Sequence, residues 1–143
     1  MKIQVCSRKE AGEFKCQVPW AAISITSNPS AWPEISEEGR VDLLQLYFMD
    51  YSVVRSKSMT KGQAVKILEF VKGVWDKIEC LLVHCDAGLS RSPAVAAAIA
   101  KIFIGEGEDA FYFQKYFPNY LVYKLLLEAH FGEMVALQPQ KDE

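Results

Sequence analysis

The sequence has 143 residues, 50% of them hydrophobic and 24% charged, with a formal net charge of −2. This length suits one domain, and this composition is typical of a globular protein rather than a disordered one. A weakly negative chain has no overall attraction for nucleic acid or an anionic membrane, so we expect neither partner. No apolar run reaches the roughly 20 residues that span a bilayer, and the start lacks the apolar stretch of a signal peptide. We therefore expect a cytoplasmic protein.

Four stretches have the composition of β-strands, because they are rich in apolar and β-branched residues and end at turn signals. The predicted strands are residues 2–6, 20–26, 41–49 and 80–84. The last of these is almost wholly apolar, which fits a central parallel strand covered on both faces. Residues 27–39, rich in Ser, Pro and Glu, are predicted to form an exposed loop.

Helix signals lie between and after these strands. Ser7 and Thr60 each begin a capping box, which predicts a short first helix and an amphipathic helix over residues 60–78. Its predicted buried stripe consists of Val65, Leu68, Val71, Trp75 and Ile78.

Three further helices are predicted in the second half of the chain. Pro93 suits a first helical turn, and Gly105 suits the end of that helix. Its buried face is predicted to consist of Val95, Ile99, Ile102 and Phe103. Residues 108–117 suggest another short helix. Asn119 can cap the last one, whose predicted buried residues are Val122, Leu125, Leu126 and Ala129.

Strands that alternate with helices predict an α/β fold with a central, mostly parallel sheet flanked by helices. We expect a single domain over residues 1–143, with residues 137–143 as a flexible tail, and a monomeric protein.

The segment most informative about function runs through residues 84–92, between the predicted central strand and a helix. Ligands of open parallel sheets bind beyond the carboxyl ends of the strands, and a loop that leads into a helix directs several backbone N–H groups at one point. Gly88 allows the backbone to curl, and Arg91 can direct its planar fork at two phosphate oxygens. Nearby cations and a helix N-terminus lower the pKa of a thiol, so Cys85 is a candidate nucleophile.

The pattern His84-Cys85, five residues, Arg91-Ser92 resembles the H-C-x5-R-[ST] signature of the protein tyrosine phosphatases. Gly88 and the run from Ser90 to Pro93 are most similar to the small dual-specificity branch. The resemblance is strongest over residues 41–131. Pro118-Asn119 also resembles a segment near the last helix of that branch, although Val122 or Tyr123 replaces its aromatic residue, and it suggests a supporting role for Asn119.

The resemblance implies a role for each residue of the loop. Cys85 would attack phosphorus to form a phosphocysteine, and Ser92 would help the thiolate to leave. His84 would order the loop from behind. Arg91 and the backbone amides of the loop would bind the phosphate; the residues concerned are Asp86, Ala87, Gly88, Leu89, Ser90 and Arg91. We expect the Asp86 side chain to point outward, because it would otherwise repel an anionic substrate.

The family also uses an aspartic acid upstream of the cysteine as general acid, and three carboxylic acids compete for this role. Asp50 follows the strand 41–49 and should emerge at the carboxyl edge of the sheet, beside the Cys85 loop. Asp42 opens that strand, about 26 Å away. Glu34, in Trp32-Pro33-Glu34, imitates the Trp-Pro-Asp motif of tyrosine-specific members. We favour Asp50, with residues 50–58 as a mobile loop.

Four cysteines and two histidines give no metal-binding spacing, so we expect neither a metal nor another cofactor. Cys6, Cys16 and Cys80 are predicted to be structural. Cys80 lies one strand before Cys85, so an oxidised Cys85 has Cys80 as a candidate disulfide partner, although we expect Cys80 to be part of the core.

Together these features predict a protein phosphatase that acts on phosphotyrosine, and on phosphoserine or phosphothreonine as a further option. Its partner would be a phosphorylated protein or peptide. The alternatives are a weak or inactive phosphatase-like module that binds phosphoprotein, or a phosphatase for a non-protein phosphomonoester or an RNA 5′-phosphate. The five residues between Cys85 and Arg91 contain no base, which disfavours a highly charged lipid head group.

Overall fold

The computed structural model describes the backbone of residues 1–137 and the side chains of residues 1–132. The four strands found within residues 1–137 form one parallel sheet in the order β1-β4-β2-β3. The strands are β1 (Lys2–Cys6), β2 (Trp20–Thr26), β3 (Arg40–Tyr47) and β4 (Cys80–His84). The α/β fold with a central parallel sheet is therefore confirmed.

Five α-helices accompany the sheet within residues 1–137. They are α1 (Arg8–Glu13), α2 (Lys61–Val74), α3 (Arg91–Ile99), α4 (Ala110–Lys115) and α5 (Tyr120–Leu137). Both predicted capping boxes are present, since Ser7 and Thr60 each accept a hydrogen bond from the backbone three residues on. A 3₁₀ turn, Trp75–Lys77, follows α2, and a π-helical turn, Ala100–Ile104, follows α3.

The two inner strands, β2 and β4, are buried at every position because both faces of the sheet are covered. One face packs against α2, α3 and α5 in the main hydrophobic core. The other face packs against α1 and the segment around Ile35, in a smaller cluster that includes Trp20. Because all four strands are parallel, their carboxyl ends lie at the same edge of the sheet.

The strand register brings three residues level near that edge. His84 of β4 pairs with Cys6 of β1 on one side and with Ser24 of β2 on the other. The segments that follow these strands consequently begin close together.

Several predicted details differ from the structure. The strand predicted over 41–49 ends at Tyr47, and the helix predicted over 60–78 ends at Val74. Val65 is 39% exposed rather than buried, because α2 turns Ala64 and Ile67 toward the core instead. Helix α3 is buried at every position rather than on one face, since the sheet, α4 and α5 enclose it.

None of the helices described is long and apolar enough to cross a bilayer. Of the predicted tail, residues 137–143, only Leu137 belongs to the described part of the chain, as the last residue of α5.

Candidate active site

The chain leaves β4 at His84, turns through residues 85–90 and enters α3 at Arg91. Gly88 adopts a φ of +74°, and a Cβ on this residue would lie 2.7 Å from the carbonyl carbon of Cys6 in β1. The Arg8 N–H donates a hydrogen bond of 3.1 Å to the Asp86 carbonyl. The loop is thus held against the end of β1, and its tight curl requires glycine at position 88.

The Cys85 side chain is 2% exposed and lies inside this curl. Its Sγ accepts a hydrogen bond of 3.3 Å from the Gly88 N–H. The Ser92 hydroxyl lies 3.1 Å from the same sulfur. Donors that converge on a sulfur at the N-terminus of a helix stabilise negative charge there, which is the state in which a cysteine acts as a nucleophile.

His84 lies behind the loop, fully buried. Its Nδ1 is 3.1 Å from the Cys85 carbonyl oxygen, which can only accept, so Nδ1 carries the proton. Nε2 then accepts a hydrogen bond from the Ser24 hydroxyl. Burial is the main cause that lowers the pKa of His84, and the Arg8 and Arg91 cations act in the same direction. His84 is therefore a neutral group that fixes the backbone at Cys85.

Arg91 opens α3 and is 5% exposed. Its Nη1 donates to Ser27 Oγ and to the Phe48 carbonyl, both at 2.8 Å. Its Nη2 donates to Asp86 Oδ2 at 3.0 Å. Its Nε is buried and has no partner among the described residues. The guanidinium is thus fixed in place with one donor left to be satisfied, which a bound oxyanion can do.

The expected outward direction of Asp86 is wrong, because its carboxylate forms an ion pair with Arg91. Burial acts to raise the pKa of Asp86, but hydrogen bonds from Ser27 and Arg91 outweigh it and hold the pKa below its ordinary value. The loop therefore contains its own anion beside the arginine.

Asp50 is exposed just beyond β3 and contacts the loop directly. Its Oδ1 accepts hydrogen bonds from Ser90 Oγ at 2.8 Å and from Asn119 Nδ2 at 2.7 Å. Asn119 also donates to the Tyr51 carbonyl at 3.0 Å and caps α5 by accepting from the Val122 N–H at 3.1 Å. Asn119 thus joins the start of α5 to the 50–58 segment and holds the Asp50 carboxylate at the loop.

The two competing carboxylic acids lie elsewhere. Asp42 pairs with Ala21 near the start of β3, whereas the loop lies beyond the opposite ends of the strands. Glu34 is exposed, and its carbonyl oxygen would lie 3.6 Å from a Cβ on Gly12 of α1. Within the described residues, no hydrogen bond or ion pair joins either carboxylate to residues 84–92.

Two residues of the site were missed in the sequence, Ser24 and Ser27. Ser24 is a lone hydroxyl among the apolar residues in the middle of a buried strand, and such a group needs a buried partner. Ser27 is the first residue after β2, at the edge of the sheet where ligands of parallel sheets bind. Both positions are therefore recognisable once β2 is assigned.

The idea of a disulfide between Cys80 and Cys85 does not fit the fold. The two residues lie at opposite ends of β4, about 17 Å apart at the rise of a strand. A disulfide requires Cα atoms within roughly 7 Å. Burial, with a contribution from Cys16, raises the pKa of Cys80 to about 11, so Cys80 is a core residue at the far edge of the sheet.

The surroundings of the loop are open and partly apolar. Leu89 is 52% exposed and Phe117 is 80% exposed, and the Phe117 N–H donates to the Leu89 carbonyl at 3.0 Å. A cleft of about 470 Å³ lies along residues 54–61, and none of the residues that line it belongs to the 84–92 loop.

No family model matches the sequence, and no curated protein matches it by sequence. Solved structures do match the fold. The structure of PTPMT1 is 21% identical, with 94% of this chain and 92% of that chain covered and a TM-score of 0.62. Human DUSP28 is 16% identical, with 94% of each chain covered and a TM-score of 0.62.

The human tyrosine phosphatase-like serine/threonine/tyrosine-interacting protein is 25% identical, with 82% of this chain and 78% of that chain covered and a TM-score of 0.56. These structures share the parallel sheet and the helices around it. In this chain, that fold carries the His84-Cys85 to Arg91-Ser92 signature between β4 and α3. By its fold, the chain is therefore similar to these phosphatase and phosphatase-like structures, and it carries the signature at the point of that fold where the sheet leads into a helix.

Proposed function

We propose that this protein is a cysteine-dependent phosphatase that hydrolyses phosphotyrosine in proteins, and phosphoserine or phosphothreonine as well. The observation that supports the proposal most strongly is the convergence of donors on Cys85 Sγ, from Gly88 and Ser92, in the same loop as the buried Arg91. Asp50 supports it further, since its carboxylate contacts Ser90 of that loop.

In the first step, the Cys85 thiolate attacks phosphorus, a sulfur–phosphorus bond forms, and the bond from phosphorus to the ester oxygen breaks. The leaving oxygen takes a proton from Asp50. Both hydrogen bonds to this side chain fall on Oδ1, which leaves Oδ2 to carry that proton. Arg91 and the amides of residues 86–91 stabilise the charge on the phosphoryl oxygens, which is an electrostatic contribution to the rate.

In the second step, water attacks the phosphocysteine and the sulfur–phosphorus bond breaks. The Asp50 carboxylate, left ionised by the first step, takes a proton from that water. The Ser92 hydroxyl donates to the departing thiolate across the 3.1 Å that separates the two atoms. Inorganic phosphate then leaves, and the enzyme is ready for another turnover.

The form of the loop supports a protein substrate over a multiply phosphorylated small molecule. Arg91 is the only base between His84 and Ser92, and Asp86 adds a negative charge beside it. The exposed apolar side chains of Leu89, in the loop, and of Phe117, beside it, can contact the residues next to a phosphorylated tyrosine. Within residues 84–92, a headgroup with several phosphates would find one cationic side chain and repulsion from the Asp86 carboxylate.

The decisive test is turnover of p-nitrophenyl phosphate in EDTA by the wild type and by Cys85→Ser. We expect turnover by the wild type and a loss of at least about 10³-fold in the variant, because serine is not ionised at neutral pH. Cys16→Ser is the matched control, since Cys16 is half-buried before β2 and away from the loop. Undiminished turnover by Cys85→Ser would contradict the proposal.

A panel of phosphopeptides then defines the substrate class. Turnover of phosphotyrosine, phosphoserine and phosphothreonine peptides supports dual specificity, whereas turnover of phosphotyrosine alone restricts the proposal to tyrosine. Tight binding of a phosphopeptide without turnover would instead indicate a binding module.

A further inference from the structure

The donors of Arg91 are unequally occupied in the structure. Nη1 is held by Ser27 and by the Phe48 carbonyl, both at 2.8 Å. The other two nitrogens, Nη2 and Nε, form one edge of the guanidinium, and such an edge binds two oxygens of a phosphate side by side. Asp86 bonds to Nη2, and Nε has no partner among the described residues. The edge suited to a phosphoryl group is therefore half occupied by a carboxylate.

Asp86 is not needed to position Arg91. Two oxygens already fix the guanidinium through Nη1, and Arg91 lies in the buried first turn of α3. The Asp86 carboxylate accepts hydrogen bonds from Ser27 and Arg91, but it is open to solvent, because its side chain is 39% exposed at the rim of the loop. The arginine can thus keep its place while the aspartate moves away.

The charge of Asp86 also works against the proposed substrate. A phosphoryl dianion that bonds to Arg91 comes close to a carboxylate at 3.0 Å from the same nitrogen. Like charges brought together at a binding site weaken binding unless one of them moves or is neutralised. A carboxylate in this position therefore affects how strongly the loop holds any oxyanion.

We propose that the Asp86 carboxylate competes with the phosphoryl group for Arg91. In the empty site it satisfies Nη2, and a phosphate binds to the Nη2–Nε edge by displacing it. The identity of the natural ligand rests on the function proposed above, but the competition itself concerns any tetrahedral oxyanion. Asp86 thereby sets the affinity of the loop for substrate and for the phosphate product, and it disfavours ligands that carry additional negative charge.

The experiment is equilibrium binding of inorganic phosphate to the wild type and to Asp86→Asn, measured by calorimetry without turnover. Asparagine keeps the shape of the side chain and removes its charge. We expect Asp86→Asn to bind phosphate about tenfold more tightly, since the variant no longer sets a like charge against the ligand. Inhibition of p-nitrophenyl phosphate turnover by phosphate should tighten by a similar factor.

Asp76→Asn is the matched control, because it removes the same charge from an exposed turn that precedes β4, at the opposite edge of the sheet. Its phosphate affinity should equal that of the wild type. Asp86→Ser serves as a second test variant if Asp86→Asn unfolds, as judged by urea denaturation. Equal or weaker binding by a folded Asp86 variant would overturn the competition, and weaker binding would make Asp86 a positioning residue.

The outcomes for the two proposals are distinct. Tighter phosphate binding by Asp86→Asn in a protein that does not turn over phosphomonoesters would support the competition and contradict the enzyme. Turnover that depends on Cys85, with unchanged phosphate affinity in Asp86→Asn, would support the enzyme and contradict the competition. Failure of both proteins to bind phosphate would overturn the competition, and turnover that depends on Cys85 would still decide the enzyme.

Discussion

The Asp50 carboxylate is connected to two separate parts of the chain through one oxygen. Ser90 belongs to the loop and Asn119 caps α5, and both donate to Oδ1. A general acid must reach the leaving group with its proton already directed at it, and a fixed Oδ1 restricts the rotation of the carboxyl group. In the proposed mechanism, Asn119 therefore positions Asp50, and it also caps α5.

Asp50→Asn should lower kcat steeply on substrates with poor leaving groups. Loss of a general acid costs about 10²-fold or more, because the departing alkoxide or phenoxide is no longer protonated. Turnover of p-nitrophenyl phosphate should fall much less, since that leaving group is stable without a proton. The comparison of kcat for phenyl phosphate and p-nitrophenyl phosphate, with the pH profile of each, measures this, and one limb of the profile should flatten.

Glu34→Gln is the control for Asp50→Asn. Its side chain is exposed on the side of the sheet that α1 covers, so both substrates should be turned over as by the wild type. If Glu34→Gln selectively loses activity on phenyl phosphate and Asp50→Asn keeps it, then Glu34 is the acid after all.

At the scale of elements, the unit β4–loop–α3 depends on a close approach to β1. The Gly88 Cα faces the backbone of Cys6 and Ser7, and a methyl group there would lie 2.7–2.8 Å from three backbone atoms. Backbone atoms in a paired strand cannot move aside as a flexible side chain can. The curl that gathers donors around Cys85 is therefore set by contact with a neighbouring strand.

Gly88→Ala should lower both stability and oxyanion binding. A non-glycine residue at positive φ costs about 1–3 kcal/mol, and the contact with β1 adds to that cost. The loop can relieve the contact only by opening, which moves the Gly88 N–H away from Cys85 Sγ. Urea denaturation gives the stability, and calorimetry with phosphate gives the binding.

Gly73→Ala is the matched control, because a Cβ at Gly73 would meet no atom within 4 Å. Gly73 lies within α2, where alanine is favoured over glycine by roughly 0.5–1 kcal/mol. We expect this variant to be slightly more stable than the wild type and to bind phosphate unchanged. Loss of phosphate binding in Gly73→Ala would contradict this role of Gly88. Unchanged phosphate binding in Gly88→Ala would contradict it as well.

At the scale of the whole molecule, the buried His84 couples folding to pH. Its pKa in the folded protein is lowered from 6.5, so the unfolded chain takes up a proton at a higher pH than the folded chain does. The free energy of unfolding should therefore fall as pH falls below about 6.5, with a slope of at most about 1.4 kcal/mol per pH unit. Glu10 and Asp86, whose pKa values are lowered from 4.5 and 3.8, also lower the free energy of unfolding as pH falls, but only at a lower pH than His84 does.

Urea denaturation between pH 7 and pH 5 measures this slope. His84→Gln should lose it, even if its stability at pH 7 is lower because its hydrogen bonds to Ser24 and the Cys85 carbonyl are altered. His130→Gln changes an exposed histidine on α5 and should keep the slope of the wild type. An equal slope in His84→Gln would show that another group is responsible.

Much of the fold could be predicted because its signals are local. The strands 2–6, 20–26 and 80–84 have the predicted bounds, since each is an apolar run that ends at polar or turn-forming residues. The capping boxes depend on residues three apart. Which side of α2 faces the core is not local, however, because it is decided by the sheet and α5, and this is why Val65 was assigned to the wrong face.

The candidate site could be predicted where its signals are local in the sequence, and could not where they depend on contacts between distant residues. The loop was recognised from contiguous residues, and the approach of Asp50 followed from the direction of parallel strands. The ion pair of Asp86 with Arg91 also depends on Ser27 and Phe48, which are 64 and 43 residues from the arginine. The partner of His84, Ser24, is 60 residues away. Such contacts exist only once the sheet has assembled.

The burial of α3 on every side affects how a protein of this kind can acquire new substrates. Arg91 and Ser92 belong to the core as well as to the candidate site, so most replacements there also destabilise the fold. The apolar side chains around the loop are different, since Leu89 and Phe117 are largely exposed and can be replaced at little cost in stability. Under the proposed function, changes in peptide recognition can therefore arise from substitutions at this rim, whereas substitutions of Arg91 or Ser92 also alter the core.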